Sequence, residues 1–273
     1  MKKGIYLFLM ALLIVASTAT CKKDKEEADK PAPEIPPEST FVMDFSKFNS
    51  TSDTSHTKAL ADSTYRAWLT SFLNVVFWNT VLTVHAIIPV AAFREAFNHS
   101  AKYDGKDKWI WEYTVTANNG TYTASLEAIL SGNNISWFMY LTKSGEYERF
   151  LWYTGLSSLD GKTGNWLLYY SPAKPEPYIQ IVWSRDPSSS TGQIKYTNVL
   201  GNDPGYGGYI QYGLTTSSPY NANYTIFYKE QNKTTKIEWN TSSRKGRISD
   251  SKSFNDGGAW HCWNELLQDM ICN

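Results

Sequence analysis

The spacing of apolar side chains changes once along the chain and divides it into a helical part and a strand part. From residue 57 to residue 100, apolar side chains recur every three or four positions, as at Leu69, Leu73 and Val76. This spacing predicts amphipathic helical structure. Pro89 is expected to end or kink the helix, because proline lacks the backbone N–H that continues the hydrogen-bond ladder.

From residue 108 to residue 250 the period becomes two, which is the period of a β-strand. Trp109, Trp111 and Tyr113 share one face of the first such segment, and Asn119-Gly120 predicts a tight hairpin turn after the segment. About eleven short strands follow one another without room for crossover helices, so an antiparallel meander is predicted.

The predicted fold is mainly β with a smaller α part. A long meander leaves edges and an apolar face uncovered unless the sheet bends or is covered. We therefore predict an antiparallel sheet that is curled into a barrel or half-barrel and packed by the N-terminal helical segment. Some strands are apolar on both faces. In one of them, Phe138 and Tyr140 share one face, and Trp137 and Met139 share the other. This pattern indicates either helical cover on the second face or a ligand surface.

Composition narrows the functional classes. The chain has 26 basic and 26 acidic residues, so its formal net charge is zero. Without a basic field, binding to nucleic acid is not expected. Eleven Trp, 18 Tyr and 12 Phe bring the aromatic share to 15%, which suits a protein built from strands.

The N-terminus has the layout of an export signal. Lys2 and Lys3 precede an apolar run and four small residues that end before Cys21, which predicts a signal peptide over residues 1–20. The apolar run is shorter than the roughly 20 residues that a membrane-spanning helix needs. A second apolar stretch, residues 75–93, contains polar residues and is predicted to pack on the sheet rather than to span a membrane.

Cys21 is the most informative residue of the sequence. The small residues directly before it resemble the lipobox of bacterial lipoproteins, with Thr18 and Thr20 where that family usually has Leu and Gly, Ala or Ser. The Lys-Lys-Asp-Lys-Glu-Glu that follows resembles the export tag of Bacteroidota lipoproteins. The resemblance implies that Cys21 is lipidated and holds the protein on the outer membrane, at the cell surface or facing the periplasm. The alternative is a secreted protein with an incidental cysteine.

Residues 21–50 are predicted to form a flexible linker between the lipid and a single domain. The stretch is first charged and then rich in proline, so it is expected to bury too little apolar surface to order itself. The domain is predicted over residues 51–273. It would contain helical structure in 57–100, the antiparallel sheet in 108–250 and a C-terminal segment in 251–273.

The number of cysteines is consistent with a lipid on Cys21. Lipidation of Cys21 leaves Cys262 and Cys272, which can form a disulfide in an oxidising compartment. A disulfide needs Cα atoms within about 7 Å, whereas ten residues of helix span about 15 Å. A bridge would therefore exclude one straight C-terminal helix. The alternative is two free thiols on such a helix.

No group of residues in the sequence defines a reaction. The four histidines are scattered, and metal-binding, phosphate-loop and dinucleotide motifs do not occur. No catalytic residue, metal or cofactor is therefore predicted. The least favoured hypothesis is a glycoside hydrolase, in which two facing carboxylates would act. Its candidates are Glu112, Glu127, Glu148 and Glu238.

Aromatic side chains are the remaining functional signal. Tryptophans can wall a pocket for an apolar ligand or stack on sugar rings, and they can equally form the core. The favoured hypothesis is a non-catalytic binding protein for a lipid or another hydrophobic ligand. A glycan-binding accessory surface lipoprotein is the alternative. The candidate ligand-binding residues are Trp109, Trp111, Trp137, Trp152, Trp166 and Trp183.

Overall fold

A computed structural model describes residues 31–48 and 63–272 of the chain. The predicted signal peptide and Cys21 lie outside these residues. Within them, helix α1 extends over Arg66–Ala96 and helix α2 over Ser251–Phe254, with 3₁₀ turns at Glu38–Thr40, Phe45–Lys47 and Ser63–Tyr65. The strands are β1 (Lys102–Tyr103), β2 (Lys108–Ala117), β3 (Gly120–Ser131), β4 (Asn134–Lys143), β5 (Tyr147–Ser158), β6 (Thr163–Ser171), β7 (Lys174–Asp186), β8 (Thr191–Asn198), β9 (Tyr209–Leu214), β10 (Ala222–Tyr228), β11 (Lys233–Trp239), β12 (Gly246–Ser249), β13 (Trp260–Trp263) and β14 (Asp269–Met270).

The fourteen strands form one antiparallel sheet in which each strand pairs with its neighbours in sequence. The predicted meander is confirmed. A closed barrel is wrong, because β1 and β14 are the two edges of the sheet and do not pair with each other. Each of these edge strands has two residues, which is too short for a ladder that would close the sheet.

The hairpin between β2 and β3 shows how the sequence sets the register. Asn118 and Asn119 both adopt positive φ, and Ala117 pairs with Gly120 across the turn. Two residues at positive φ match the twist of the flanking strands. The turn therefore lies one residue earlier than Asn119-Gly120, and Gly120 begins β3.

We call the face of the sheet that α1 covers the inner face. On the inner face, large side chains alternate with small ones from strand to strand. Gly155 on β5 pairs with Trp137 on β4 and with Trp166 on β6. A Cβ atom at Gly155 would lie 2.1 Å from Cε3 of Trp166. Gly164 beneath Trp183 and Gly246 beneath Trp263 repeat the arrangement. Glycine at these positions makes room for an indole ring on the neighbouring strand.

The N-terminal segment, residues 36–48, also lies on the inner face. The Phe41 ring stacks on Phe93 of α1 with centroids 4.6 Å apart and lies 4.8 Å from the Tyr153 ring. The Tyr196 hydroxyl donates to the Phe41 carbonyl oxygen at 2.9 Å. The prediction of a linker that extends to residue 50 is therefore wrong for this segment. Its apolar side chains bury enough surface to pack as part of the domain. The charged and proline-rich residues before them led to the prediction of a linker for the whole stretch.

Helix α1 continues through Pro89, so of the two expected outcomes, an end or a kink, the end is wrong. A proline inside a helix costs about 3 kcal/mol. Burial of the residues after Pro89 offsets this cost, because Ala92, Phe93 and Ala96 have no exposed surface. At 31 residues, α1 is about 47 Å long and extends across the strands from β14 to β2.

The C-terminal strands hold the start of α1 in place. Cys262 and Cys272 form a disulfide with their Cα atoms 5.2 Å apart, which confirms the predicted pair and excludes a straight helix. The Asp269 carboxylate on β14 accepts hydrogen bonds from the backbone N–H groups of Arg66 and Ala67, at 3.2 and 2.9 Å. A carboxylate at a helix N-terminus satisfies donors that have no partner within the helix.

Candidate functional site

The six tryptophans proposed as ligand contacts are buried in the core, each with at most 7% of its surface exposed. They therefore do not form the exposed row of rings that glycan stacking needs. Trp183 lines a cavity of about 290 Å³ together with Tyr212. Of the eleven tryptophans, all within the described ranges, only Trp260 is partly exposed, and the Arg247 guanidinium lies over its ring at 4.2 Å.

A groove of about 770 Å³ runs along one flank of α1, between the helix and strands β7, β8, β10 and β11. We call it the apolar groove. Small-molecule sites in proteins typically measure about 300 to 1,000 Å³ and are mostly apolar, so the groove has a suitable size. Its lining includes Leu73, Phe77, Trp78, Val81, Leu82 and His85 of α1, Tyr178, Ile179, Tyr196, Phe227, Tyr228 and Lys233 of the strands, and Asn198, Asp203, Lys229 and Glu230 at strand ends and turns.

The wall of the apolar groove is tied to α1 by a hydrogen bond. The Tyr228 hydroxyl on β10 donates to Oδ1 of Asn74 at 2.7 Å. Nδ2 of Asn74 in turn donates to the Thr70 carbonyl oxygen, also at 2.7 Å. This chain of hydrogen bonds fixes the Tyr228 ring beside the helix and so sets the width of the groove at that point.

A buried ion pair supports the same wall. Nζ of Lys233 lies 3.1 Å from Oδ2 of Asp250 and 4.4 Å from the centre of the Tyr228 ring. Thr235 Oγ1 also donates to Oδ2 of Asp250, at 2.7 Å. Asp250 has no exposed surface, so the cation and these hydrogen bonds compensate its desolvation. The charge of Lys233 is neutralised inside the protein.

Burial also changes the pKa of ionisable side chains in and behind the groove wall. Burial raises the pKa of Tyr178 to about 12, and it raises the pKa of Tyr228 above its usual value. Both phenols therefore keep their protons at neutral pH. Burial raises the pKa of Asp250, but hydrogen bonds from Ser253, Thr235 and Lys233 outweigh it, so the pKa is lowered and the carboxylate stays ionised.

One donor in the groove lining has no hydrogen-bond partner in the described ranges. Trp78 has 7% of its surface exposed, and its indole N–H is buried and unpaired there. An unpaired buried donor costs about 1 to 3 kcal/mol.

A second groove, of about 880 Å³, lies on the opposite flank of α1, against the N-terminal segment. Leu82, Ile179 and Tyr196 line both grooves, so these side chains separate the two. The second groove is bordered by an ion pair between Glu38 and Arg94, in which the nitrogen and oxygen are 2.7 Å apart. This pair fastens the N-terminal segment to the last turn of α1.

The glutamates proposed for hydrolysis are engaged elsewhere or exposed. Glu127 is nearly buried and ion-paired with Lys108 and Arg149 at 3.1 and 2.9 Å. Glu238 is 2.6 Å from Nη2 of Arg247, and Glu112 and Glu148 are exposed. In the described part of the chain, no three His, Cys, Asp or Glu residues are placed to hold a metal ion.

No protein-family model, curated protein or solved structure matches the chain. The functional conclusion therefore depends on the residues of the apolar groove. The sequence pattern does not predict Phe77, Val81, Tyr228 or Lys233 as groove residues, because the period alone does not show which side of a helix faces a sheet. One signal was available: α1 has no Asp, Glu, Lys or Arg between Arg66 and Arg94.

Proposed function

We propose that the protein is an exported, lipid-anchored binding protein that holds a lipid or another hydrophobic molecule in the apolar groove. The anchor would be a lipid on Cys21, and the location would be the outer membrane, with the domain at the cell surface or facing the periplasm. The open sheet, curled as a half-barrel around α1, would form the back of the site. No cofactor and no catalytic step is part of this proposal.

The observation that carries the proposal is the chemistry of the groove wall. Leu73, Phe77 and Val81 supply a continuous apolar surface along the helix. Tyr178 and Asn198 in the same lining supply polar side chains. A long apolar surface with a few polar groups suits an amphiphile, in which a hydrocarbon chain carries an oxygen-containing head.

The charges around the groove indicate that the head of the ligand is not recognised through a strong net charge. Lys233 is neutralised by Asp250, and exposed Lys229 stands beside exposed Glu230. The Asp203 carboxylate in the lining accepts hydrogen bonds from Asn198 Nδ2 and from the Gly205 N–H. Such mixed charges produce little field of either sign. We therefore expect apolar area and hydrogen bonds to supply the affinity.

The test is a titration of the purified lipid-anchored protein with cis-parinaric acid, a fatty acid whose fluorescence rises in apolar surroundings. The wild-type protein should give a saturable rise. Val81→Trp should fill the groove and lower the affinity about tenfold or more, since each 1.4 kcal/mol of lost binding is a factor of ten. The matched control is Val182→Trp, which places the same ring on the exposed side of β7 and should bind like the wild type.

Two results would contradict the proposal. If Val81→Trp binds the fatty acid as tightly as Val182→Trp does, the groove is not the site. If native mass spectrometry of protein purified from its own host shows an unmodified Cys21, the anchor is wrong, whatever the groove binds. The same spectra would identify a co-purifying lipid by its mass.

A further inference from the structure

The side of α1 that faces away from the sheet is largely apolar, with Thr80, Thr83 and His85 as exposed polar residues. Leu73, Phe77, Val84 and Ile87 have 52, 54, 63 and 42% of their surface exposed, and their spacing places them on one face of the helix. A surface helix normally presents charged residues to solvent. Here no charged side chain occurs between Arg66 and Arg94. We call these four residues the outer stripe.

The outer stripe is long enough to be an interaction surface. The fourteen helical steps from Leu73 to Ile87 correspond to about 21 Å of helix. Val76, Val90 and Ala91 beside the stripe are partly exposed and widen it. Exposed apolar side chains grouped in this way mark sites that contact a partner or a membrane.

The N-terminal attachment determines which partner is close. Pro31, at the start of the described chain, follows Cys21 by ten residue steps, which reach at most about 35 Å. The N-terminal segment then passes along α1, because Glu38 pairs with Arg94. A lipid on Cys21 would thus hold α1 near the surface of the bilayer.

We propose that the outer stripe of α1 docks onto the bilayer that carries the lipid of Cys21. This inference rests on the anchor of the proposed function. By length and composition α1 is apolar enough to cross a membrane. However, Val75, Leu82 and Phe93 are buried against the rest of the protein, so the helix lies on the membrane rather than through it.

Docking would connect the membrane to the apolar groove. Leu73 and Phe77 belong both to the outer stripe and to the groove lining. With the stripe against the bilayer, a hydrophobic molecule enters the groove without crossing water. Since the stripe has no Lys or Arg, the contact depends on apolar burial and is insensitive to salt and to anionic lipid.

The test places an environment-sensitive NBD fluorophore on the stripe. Val84 lines neither groove, so Val84→Cys leaves the binding site intact. The matched control is Val182→Cys on β7, which is 48% exposed. In both variants the disulfide occupies Cys262 and Cys272 and the lipid blocks Cys21, so the label reacts at the introduced thiol.

Each labelled, lipid-anchored protein is reconstituted in phosphatidylcholine vesicles with and without a doxyl-phosphatidylcholine quencher. We expect position 84 to lose about half of its emission or more and position 182 to lose almost none, because only the stripe reaches the acyl boundary. Equal, weak quenching at both positions while the protein floats with the vesicles would overturn the docking and leave the anchor intact. A change at position 84 that depends on protein concentration and not on the quencher would also overturn it, in favour of a second copy.

The failure of the anchor is separately visible. If the mass of the purified protein shows no lipid on Cys21, the anchor is wrong. The label is then placed at position 84 in a Cys21→Ser background, and its quenching on added vesicles decides the docking alone. In a second experiment the fluorophore is attached at another exposed position of α1. Val84→Glu combined with Ile87→Glu should abolish the quenching of this label. Leu156→Glu combined with Val182→Glu, at exposed strand positions, should not.

Discussion

Two phenylalanines of the same helix occupy opposite surroundings. Phe93 is fully buried and lies within 4.6 Å of the Phe41 ring and 5.4 Å of the Trp166 ring. Phe77 has 54% of its surface exposed and contacts Tyr228 with ring centroids 6.1 Å apart. Both belong to an apolar helix, so residue type does not explain the difference.

The difference comes from what fills the space beside the helix. Around Phe93, the N-terminal segment inserts Phe41 between α1 and the sheet, and the aromatic rings close on one another. Around Phe77, among the described residues, the corresponding space is the apolar groove. One end of α1 is therefore enclosed by aromatic side chains, and the other end borders the groove in which we propose that a ligand binds.

Removal of the buried ring should have the largest effect. Phe93→Ala creates a cavity among aromatic neighbours and should lower the free energy of unfolding by about 3 to 5 kcal/mol. Urea unfolding followed by tryptophan fluorescence measures this loss. A loss below about 1 kcal/mol would show that the cluster around Phe93 is loosely packed, and the contrast with Phe77 would then disappear.

The groove wall has a second stability element, the Lys233–Asp250 pair. Lys233→Met should cost about 3 kcal/mol at neutral pH, because it leaves the buried carboxylate without its cation. The folded pKa of Asp250 is lowered, so its stabilisation is complete above its unfolded pKa of about 4. The stabilisation is lost as the pH falls through the folded pKa.

The difference between wild type and Lys233→Met should therefore be largest at neutral pH and shrink below about pH 4. Urea unfolding at a series of pH values measures it. Lys236→Met on the same strand is the control, because Lys236 is exposed and should change stability by less than about 0.5 kcal/mol. A pH-independent difference would mean that Lys233 acts through packing on Tyr228 rather than through its charge.

The tight packing of the inner face predicts a smaller but specific loss. Gly155→Ala should cost about 2 kcal/mol, since its Cβ would lie 2.1 Å from the Trp166 ring. Gly201→Ala is the matched control, because nothing lies within 4 Å of a Cβ there. If both variants unfold at the same urea concentration, the strands around Gly155 can shift to admit a Cβ atom, and the contact with Trp166 does not restrict this position.

The sequence predicted the meander and the cysteine pair because each depends on local rules. Alternation of side chains defines a strand, turn residues define a hairpin, and short spacing restricts a disulfide. The same rules failed for Phe41 and Pro89, because long-range burial on the inner face outweighed a proline-rich context and a helix-breaking residue. The groove was not predictable either, since it depends on which flank of α1 the N-terminal segment occupies.

Phe77→Ala should give the smallest change in stability and so sharpens the comparison with Phe93. The ring is half exposed, so its removal should change the free energy of unfolding by less than about 1 kcal/mol. Its loss should still lower the affinity for cis-parinaric acid by about tenfold, because a ring on the groove wall contributes apolar area to the ligand. Urea unfolding and the fatty-acid titration, performed on Phe77→Ala and Phe93→Ala together, separate the two roles. If Phe77→Ala loses stability and keeps its affinity, then Phe77 belongs to the core and the open end of α1 is not a binding site.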